Sequence, residues 1–297
     1  MANIDWMQRF IDYLRLERQY SEETIRNYQH DVQDFLSFLA ETGEKDFLKV
    51  TYHDVRIYVG ELYDRNYKRT TMQRKMSSLR TFYRYLLQNK QIEENPFDYV
   101  VMKKKEQRLP QFFYEKEMEA LFQATTGGTP LLIRDNALLE TLYASGMRVS
   151  ECVGLKLTDI DFYGQFFLVH GKGNKERFVP FNKHTTEALR RYLMDSRPIL
   201  MKGKQHETVF VNAKGDPLTA RGVRYILNQI IHRSSLNANI HPHELRHTFA
   251  THLLNHGADM RTVQELLGHV DLSSTQIYAH VTKESLQKTY RHFHPRA

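Results

Sequence analysis

Residues 241–252 read HPHELRHTFATH, and two chemistries share their letters. HELRH fits the H-E-x-x-H pattern of zinc hydrolases, with His243 and His247 as ligands and Glu244 as base. The same stretch fits H-x-x-R, an imidazole and a guanidinium beside an anion. On a helix at about 100° per residue from His243, Leu245, Phe249 and Leu253 fall at about 200–280° and Ala250 and Leu254 at about 340–20°, together one buried stripe. Arg246 falls at about 300°, inside that buried stripe, with His243 at its edge and His247 further out. The extended zinc pattern H-E-x-x-H-x-x-G-x-x-H fails, because Ala250 and Leu253 hold its last two marked positions. A guanidinium turned into the same pocket also opposes a divalent cation. An inward arginine needs an anion. That anion is either a carboxylate of the chain, for which Glu151 is the obvious candidate, or an oxyanion ligand placed near the helix start at Pro242.

Other residues carry the same chemistry. GMRVSEC (146–152) puts Arg148 after a glycine at a helix start, with Glu151 three residues on. Lys172 lies in the turn GKGN (171–174), with Lys175 close by. LLGH (266–269) ends a helix at His269, and Tyr278 follows nine residues later in STQIYAHV. His247 and His252 are assigned to packing.

These residues need a frame. The first hundred residues are patterned as helices. Ile4, Met7, Ile11 and Leu14 have helical spacing over 4–18. Ser21 is placed to cap a second helix ending near Thr42, with Gly43 as its stop. Thr51-x-x-Asp54 and Thr70-x-x-Gln73 resemble capping boxes opening a third and a fourth helix. The fourth carries an apolar row, Met72, Met76, Leu79, Tyr83 and Leu86. Opposite it lies a polar row, Arg74, Ser77, Thr81 and Arg84. With Lys68 and Arg69 in front, that row is either an ordinary solvated face or a surface for a phosphate backbone. Asn95-Pro96 ends the pattern.

MKKKEQRLPQ (102–111), holding Lys103, Lys104 and Lys105, suggests a linker. The rest is mixed, with helical patterns at 115–124, 131–145, 150–155, 184–195, 219–233, 243–256, 260–267, 274–280 and 284–293. A hairpin is expected over 166–181. The expected organisation is therefore mainly α. A four-helix bundle spans 1–102, a linker 103–111, and a mostly helical α+β domain with a small antiparallel sheet 112–297.

Composition is consistent with this. Of 297 residues, 42 are Lys or Arg and 35 Asp or Glu, a formal charge of +7 that mildly favours a polyanionic partner. The single cysteine, Cys152, excludes an intrachain disulfide and suits a reducing, cytoplasmic setting. No signal peptide or apolar span is patterned in the chain.

The order R…K…HxxR…H…Y, standing here as Arg148, Lys172, His243, Arg246, His269 and Tyr278, resembles the tyrosine recombinases of the phage integrase superfamily. The words GMRVSE, HPHELRHTFATHLL, VQELLGH and STQIYAHV carry the likeness, which extends over nearly the whole chain and is closest to the bacterial Xer recombinases (XerC/XerD type). The resemblance implies a core-binding domain followed by a catalytic domain. It also implies DNA cutting and rejoining through a 3′-phosphotyrosyl link on Tyr278, with no metal or ATP. Arg148, Arg246 and His269 would stabilise the phosphate, Lys172 would act as general acid, and His243 would assist deprotonation of the tyrosine. Glu151 would orient a neighbouring arginine or histidine. Apart from the resemblance, the basic face of the fourth helix and the linker beside it make Arg69, Arg74, Arg84 and Lys103–Lys105 the candidates for contact with a nucleic-acid backbone. Implied partners are a dif-like duplex, a tetramer of identical or paralogous recombinases, and an FtsK-type translocase in chromosome dimer resolution and cell division. The last stretch, with Leu286, Tyr290 and Phe293 at helical spacing, would dock on a neighbouring protomer or pack on its own domain. Other readings of the same residues are a type IB topoisomerase-like relaxing enzyme and a DNA-binding architectural protein with a dead site.

Overall fold

The computed structural model describes residues 2–43, 46–100, 112–171, 176–236, 242–268 and 283–296. The chain divides into two compact units, Met1–Gln107 and Arg108–Ala297.

The first unit is helical. α1 (Ala2–Asp12) continues into a π-helical turn (Tyr13–Glu17), and together they occupy the expected first helix. α2 (Glu22–Thr42) starts where the Ser21 hydroxyl accepts from the Thr24 amide at 3.3 Å. It stops at Gly43, whose φ of 92° is left-handed. α3 (Tyr52–Asp64) has the expected capping box: the Thr51 amide donates to Asp54 Oδ2 at 2.8 Å and the Asp54 amide to Thr51 Oγ1 at 3.4 Å. α4 (Arg69–Gln88) differs from expectation. It begins at Arg69 with Lys68 as its cap and no side-chain bond there, so Thr70 sits inside the first turn and caps nothing. Asn95 makes the following turn, accepting from the Phe97 amide and donating to the Arg80 carbonyl, both at 3.1 Å.

The apolar row of α4 is buried throughout and meets Phe10, Val32, Phe35, Tyr58 and Phe97 in one core. Burying each such side chain contributes about 1.5–3 kcal/mol. Below the opposite row lies a polar network that sequence spacing did not announce. Lys75 is buried and its ammonium lies 2.9 Å from Asp34 and 3.5 Å from Asp31. Asp31, fully buried, also accepts from Ser78 at 2.8 Å and pairs with Arg74. Arg84 lies 3.5 Å from Asp98. The basic face of α4 is therefore partly neutralised by acids from elsewhere in the unit. The expected linker, with Lys103, Lys104 and Lys105, lies outside the described residues.

The second unit is built around α6 (Pro130–Ser145), which follows α5 (Glu115–Gln123). α6 is capped by Thr129, starts with proline and is buried on nearly all sides. α7 (Val149–Gly154) leads to a three-stranded antiparallel sheet in chain order: β1 (Ile160–Asp161), β2 (Phe166–His170) and β3 (Glu176–Pro180). The β2–β3 pair is the expected hairpin, with Phe167 opposite Val179 and His170 opposite Glu176. β1, only two residues long, is too short to show a period in sequence. α8 (Lys183–Arg191) continues through a π turn into the short α9 (Arg197–Met201). α10 (Ala220–Ser234), α11 (Pro242–Asn255), α12 (Met260–Leu267) and α13 (Lys283–Phe293) complete the unit. α13 packs on its own domain here: Tyr290 is buried, and Leu286 and Phe293 join Phe249, Leu253 and Leu266. Among the described residues no helix is long and apolar enough to cross a membrane.

Asp31→Ala leaves Lys75 with Asp34 alone and removes the partner of Arg74 and Ser78. It is expected to destabilise the first unit by about 3 kcal/mol, measured by urea denaturation of the full chain. A loss below roughly 0.5 kcal/mol would contradict the assigned role of this network.

Candidate functional site

α6 ends at Gly146, whose φ is 56°. A Cβ there would stand 2.4 Å from Cδ1 of Phe249 on α11, so a glycine is needed both for the left-handed turn and for the approach of α11. Two residues later Arg148 caps α7. Its backbone amide donates to Glu151 Oε2 at 2.7 Å and its guanidinium Nη1 to Glu151 Oε1 at 2.9 Å. Glu151 thus satisfies a helix start and holds the side chain that precedes it.

Glu151 has a second arginine that sequence spacing did not single out. Arg177 on β3 donates Nη1 to Oε1 and Nη2 to Oε2, both at 2.9 Å. The carboxylate is nearly inaccessible, its side chain 4% exposed, whereas that of Arg148 remains 41% exposed. Burial alone would raise the Glu151 carboxyl, but the hydrogen bonds and charge of Arg177, then those of Arg148, outweigh it and hold it below its ordinary value. The available sequence signal was strand alternation. Arg177 shares a strand face with Val179 and pairs with Val169, both buried, so it is an inward arginine.

Arg246 comes from α11, one helical turn before Phe249. It does not pair with Glu151, the carboxylate suggested by sequence. Nη1 donates to the Gly146 carbonyl at 2.7 Å and Nη2 to the Leu267 carbonyl at 2.6 Å. These oxygens lie at the C-terminal ends of α6 and α12, where helix dipoles favour a cation. Burial, then the positive charge of Arg148, push the Arg246 guanidinium down to about 10, with Arg177 adding to the effect and Glu151 opposing it. Three guanidinium groups are therefore gathered around one carboxylate. A guanidinium has five N–H donors, and Arg246 uses two in these bonds.

The remaining sequence candidates are placed as follows. Glu151, Arg148 and Arg246 are brought together. His243 is exposed near the start of α11, three residues before Arg246. His252 is buried, its Nδ1 2.8 Å from the Tyr143 hydroxyl. His247 lies beside Phe112, ring centres 6.3 Å apart. Lys172, His269 and Tyr278 lie outside the described residues, as does the expected helix over 274–280. Arg69, Arg74 and Arg84 lie on α4 of the first unit. Among the described residues no group of three or more His, Cys, Asp or Glu side chains is arranged to hold a metal ion.

The depressed Glu151 carboxyl fixes the sign of a pH effect. A folded value below the unfolded one adds stability that is complete above the ordinary carboxylate range and is lost as pH falls through the folded value. Glu151→Gln should therefore melt well below wild type at neutral pH, by about 2 kcal/mol. The gap should close in acid. A gap that is constant with pH would contradict an ionised Glu151 at the centre of the cluster.

Comparison with known proteins agrees with this architecture. The Phage integrase family model matches residues 111–285, and the Phage integrase N-terminal SAM-like domain model matches residues 7–90. The chain is 49% identical over 300 residues to Tyrosine recombinase XerC of Bacillus subtilis (strain 168), covering all of this chain and 99% of that protein. It is 54% identical over 293 residues to Tyrosine recombinase XerC of Pediococcus pentosaceus, covering 97% of each. Its fold resembles the XerH site-specific recombinase in a pre-cleavage complex with its difH substrate. The TM-score there is 0.67 at 22% identity, over 95% of this chain and 82% of that one. The chain belongs to the phage integrase family, among tyrosine recombinases of the XerC type.

Proposed function

We propose that the chain is a site-specific recombinase acting on double-stranded DNA at a dif-like site, with Tyr278 as nucleophile. The tyrosine oxygen attacks the scissile phosphorus, the bond to the 5′ oxygen breaks, and a 3′-phosphotyrosyl link forms. Lys172 protonates the departing 5′ oxygen and His243 takes the tyrosine proton. The freed 5′ hydroxyl of a partner strand then attacks the link and releases the tyrosine. One phosphodiester is exchanged for another at each step, so the reaction balances without an external energy source.

The observation that carries this reading is the charge balance of the Arg148–Arg177–Arg246 cluster around Glu151. A surplus of semi-buried cations with one carboxylate among them suits a ligand that brings negative charge. The phosphorane-like transition state adds charge on its non-bridging oxygens, where guanidinium forks bind bidentately. His269 is the further donor in this reading. Arg69, Arg74, Arg84 and Lys103–Lys105 contact the duplex backbone, Arg74 and Arg84 exchanging carboxylate partners for phosphate. The working assembly is a tetrameric synapse with identical or paralogous chains, resolving chromosome dimers before cell division with an FtsK-type translocase.

A nicked suicide duplex carrying a dif-like site tests the chemistry. The wild-type chain should form a covalent adduct and Tyr278→Phe none. Arg148→Ala and Arg246→Ala should each slow adduct formation by at least roughly 10²–10³-fold. No adduct with wild type, or undiminished adduct with Tyr278→Phe, contradicts the proposal.

A further inference from the structure

We propose that Arg177 is a positioning residue of this reaction: its guanidinium fixes the orientation of Glu151, and through Glu151 that of Arg148, without itself touching the phosphate. The inference rests on the reading of the cluster as a phosphate site.

Three observations carry it. First, both terminal nitrogens of Arg177 are committed to Glu151, one to each oxygen at 2.9 Å, which locks the carboxylate against rotation. Glu151 Oε1 is shared between Arg177 Nη1 and Arg148 Nη1, so the position of the first guanidinium determines that of the second. Second, the Arg177 side chain is only 16% exposed, against 41% for Arg148. Its Nε is buried and has no partner among the described residues. Arg148 is the member of the pair open to an incoming anion, and Arg177 lies behind it. Third, Arg177 supports the end of α12. Gly268 has a φ of 64°, and a Cβ there would stand 2.9 Å from both Cδ and Nε of Arg177. The glycine lets the backbone rest directly on the arginine shaft. The preceding carbonyl, Leu267, is the one held by Arg246. Arg177 therefore contacts two of the pieces that frame the site, the carboxylate under Arg148 and the turn that follows the Arg246 acceptor.

A lysine at 177 keeps the charge but has no fork, and can hold only one carboxylate oxygen at a time. Loss of the fork should therefore slow chemistry and leave binding in place. Full-length Arg177→Lys and Arg177→Met are compared with wild type in two measurements: affinity for a dif-like duplex, and single-turnover adduct formation on the suicide form of that duplex at saturating protein. Affinity should stay within about twofold, since the duplex backbone contacts are unchanged. The adduct rate should fall about 10–100-fold in both variants, with lysine restoring only part of the loss. Adding Arg177→Met to Glu151→Gln should lower the rate by no more than about twofold further, because one residue acts through the other.

Melting curves set a temperature at which each variant is folded, and rates are compared there. A variant that melts lower yet forms adduct at the wild-type rate when folded overturns the proposal, as does full additivity with Glu151→Gln. If Arg177→Met does not fold, Arg177→Lys alone decides by the same rate criterion. Absence of adduct with the wild-type chain would overturn the parent reading, and this one with it. Adduct with wild type that is undiminished in the variants overturns this inference alone.

Discussion

The catalytic domain converges on one carboxylate. Glu151 satisfies the start of α7, accepts from Arg148 and takes both arms of Arg177. Its desolvation would be costly alone. It stays ionised because two guanidinium groups meet it at hydrogen-bonding distance. The reverse also holds: two arginines could not sit this close without it. β3, the α6–α7 turn and α7 are thereby tied to a single charged group.

Arg246 is held differently. It has two helix C-termini in place of a carboxylate, through the carbonyls of Gly146 and Leu267. Partial charges of that kind hold a guanidinium in place but do not neutralise it. The cluster remains short of negative charge, and burial together with Arg148 lowers the Arg246 guanidinium accordingly. A preorganised excess of positive charge in a partly desolvated site is what stabilisation of a phosphoryl transition state requires, because no dipole then has to reorient as charge develops.

Much of this was legible in the sequence, and the illegible parts share a cause. Helical periodicity places Leu245, Phe249 and Leu253 inward and Arg246 beside them, which favours the anion reading of HELRH over the metal one. The caps at Ser21 and Thr51 are local, and the structure forms both. What sequence could not provide was long-range pairing. The suggested carboxylate partner for Arg246 is occupied by Arg148 and Arg177. Arg74 and Arg84, patterned as part of a polar row that is either solvated or turned to a phosphate backbone, meet Asp31 and Asp98 from other segments. Arg177 lay in a strand whose alternation marked an inward side chain, yet nothing local named Glu151, 26 residues earlier, as its partner. Thr70 resembles a cap, but α4 starts two residues sooner than that cap would place it, at Arg69 with Lys68 as its cap.

In the proposed reaction the arginine cluster acts on charge at the scissile phosphate. Replacing that phosphate by a methylphosphonate removes its negative charge and leaves the rest of the duplex intact. Cleavage rates of wild type and Arg246→Ala on the two substrates give the most direct test. The deficit of Arg246→Ala should shrink by at least roughly tenfold on the neutral substrate. An equal deficit on both substrates would mean that Arg246 supports the fold and does not stabilise charge at the phosphate.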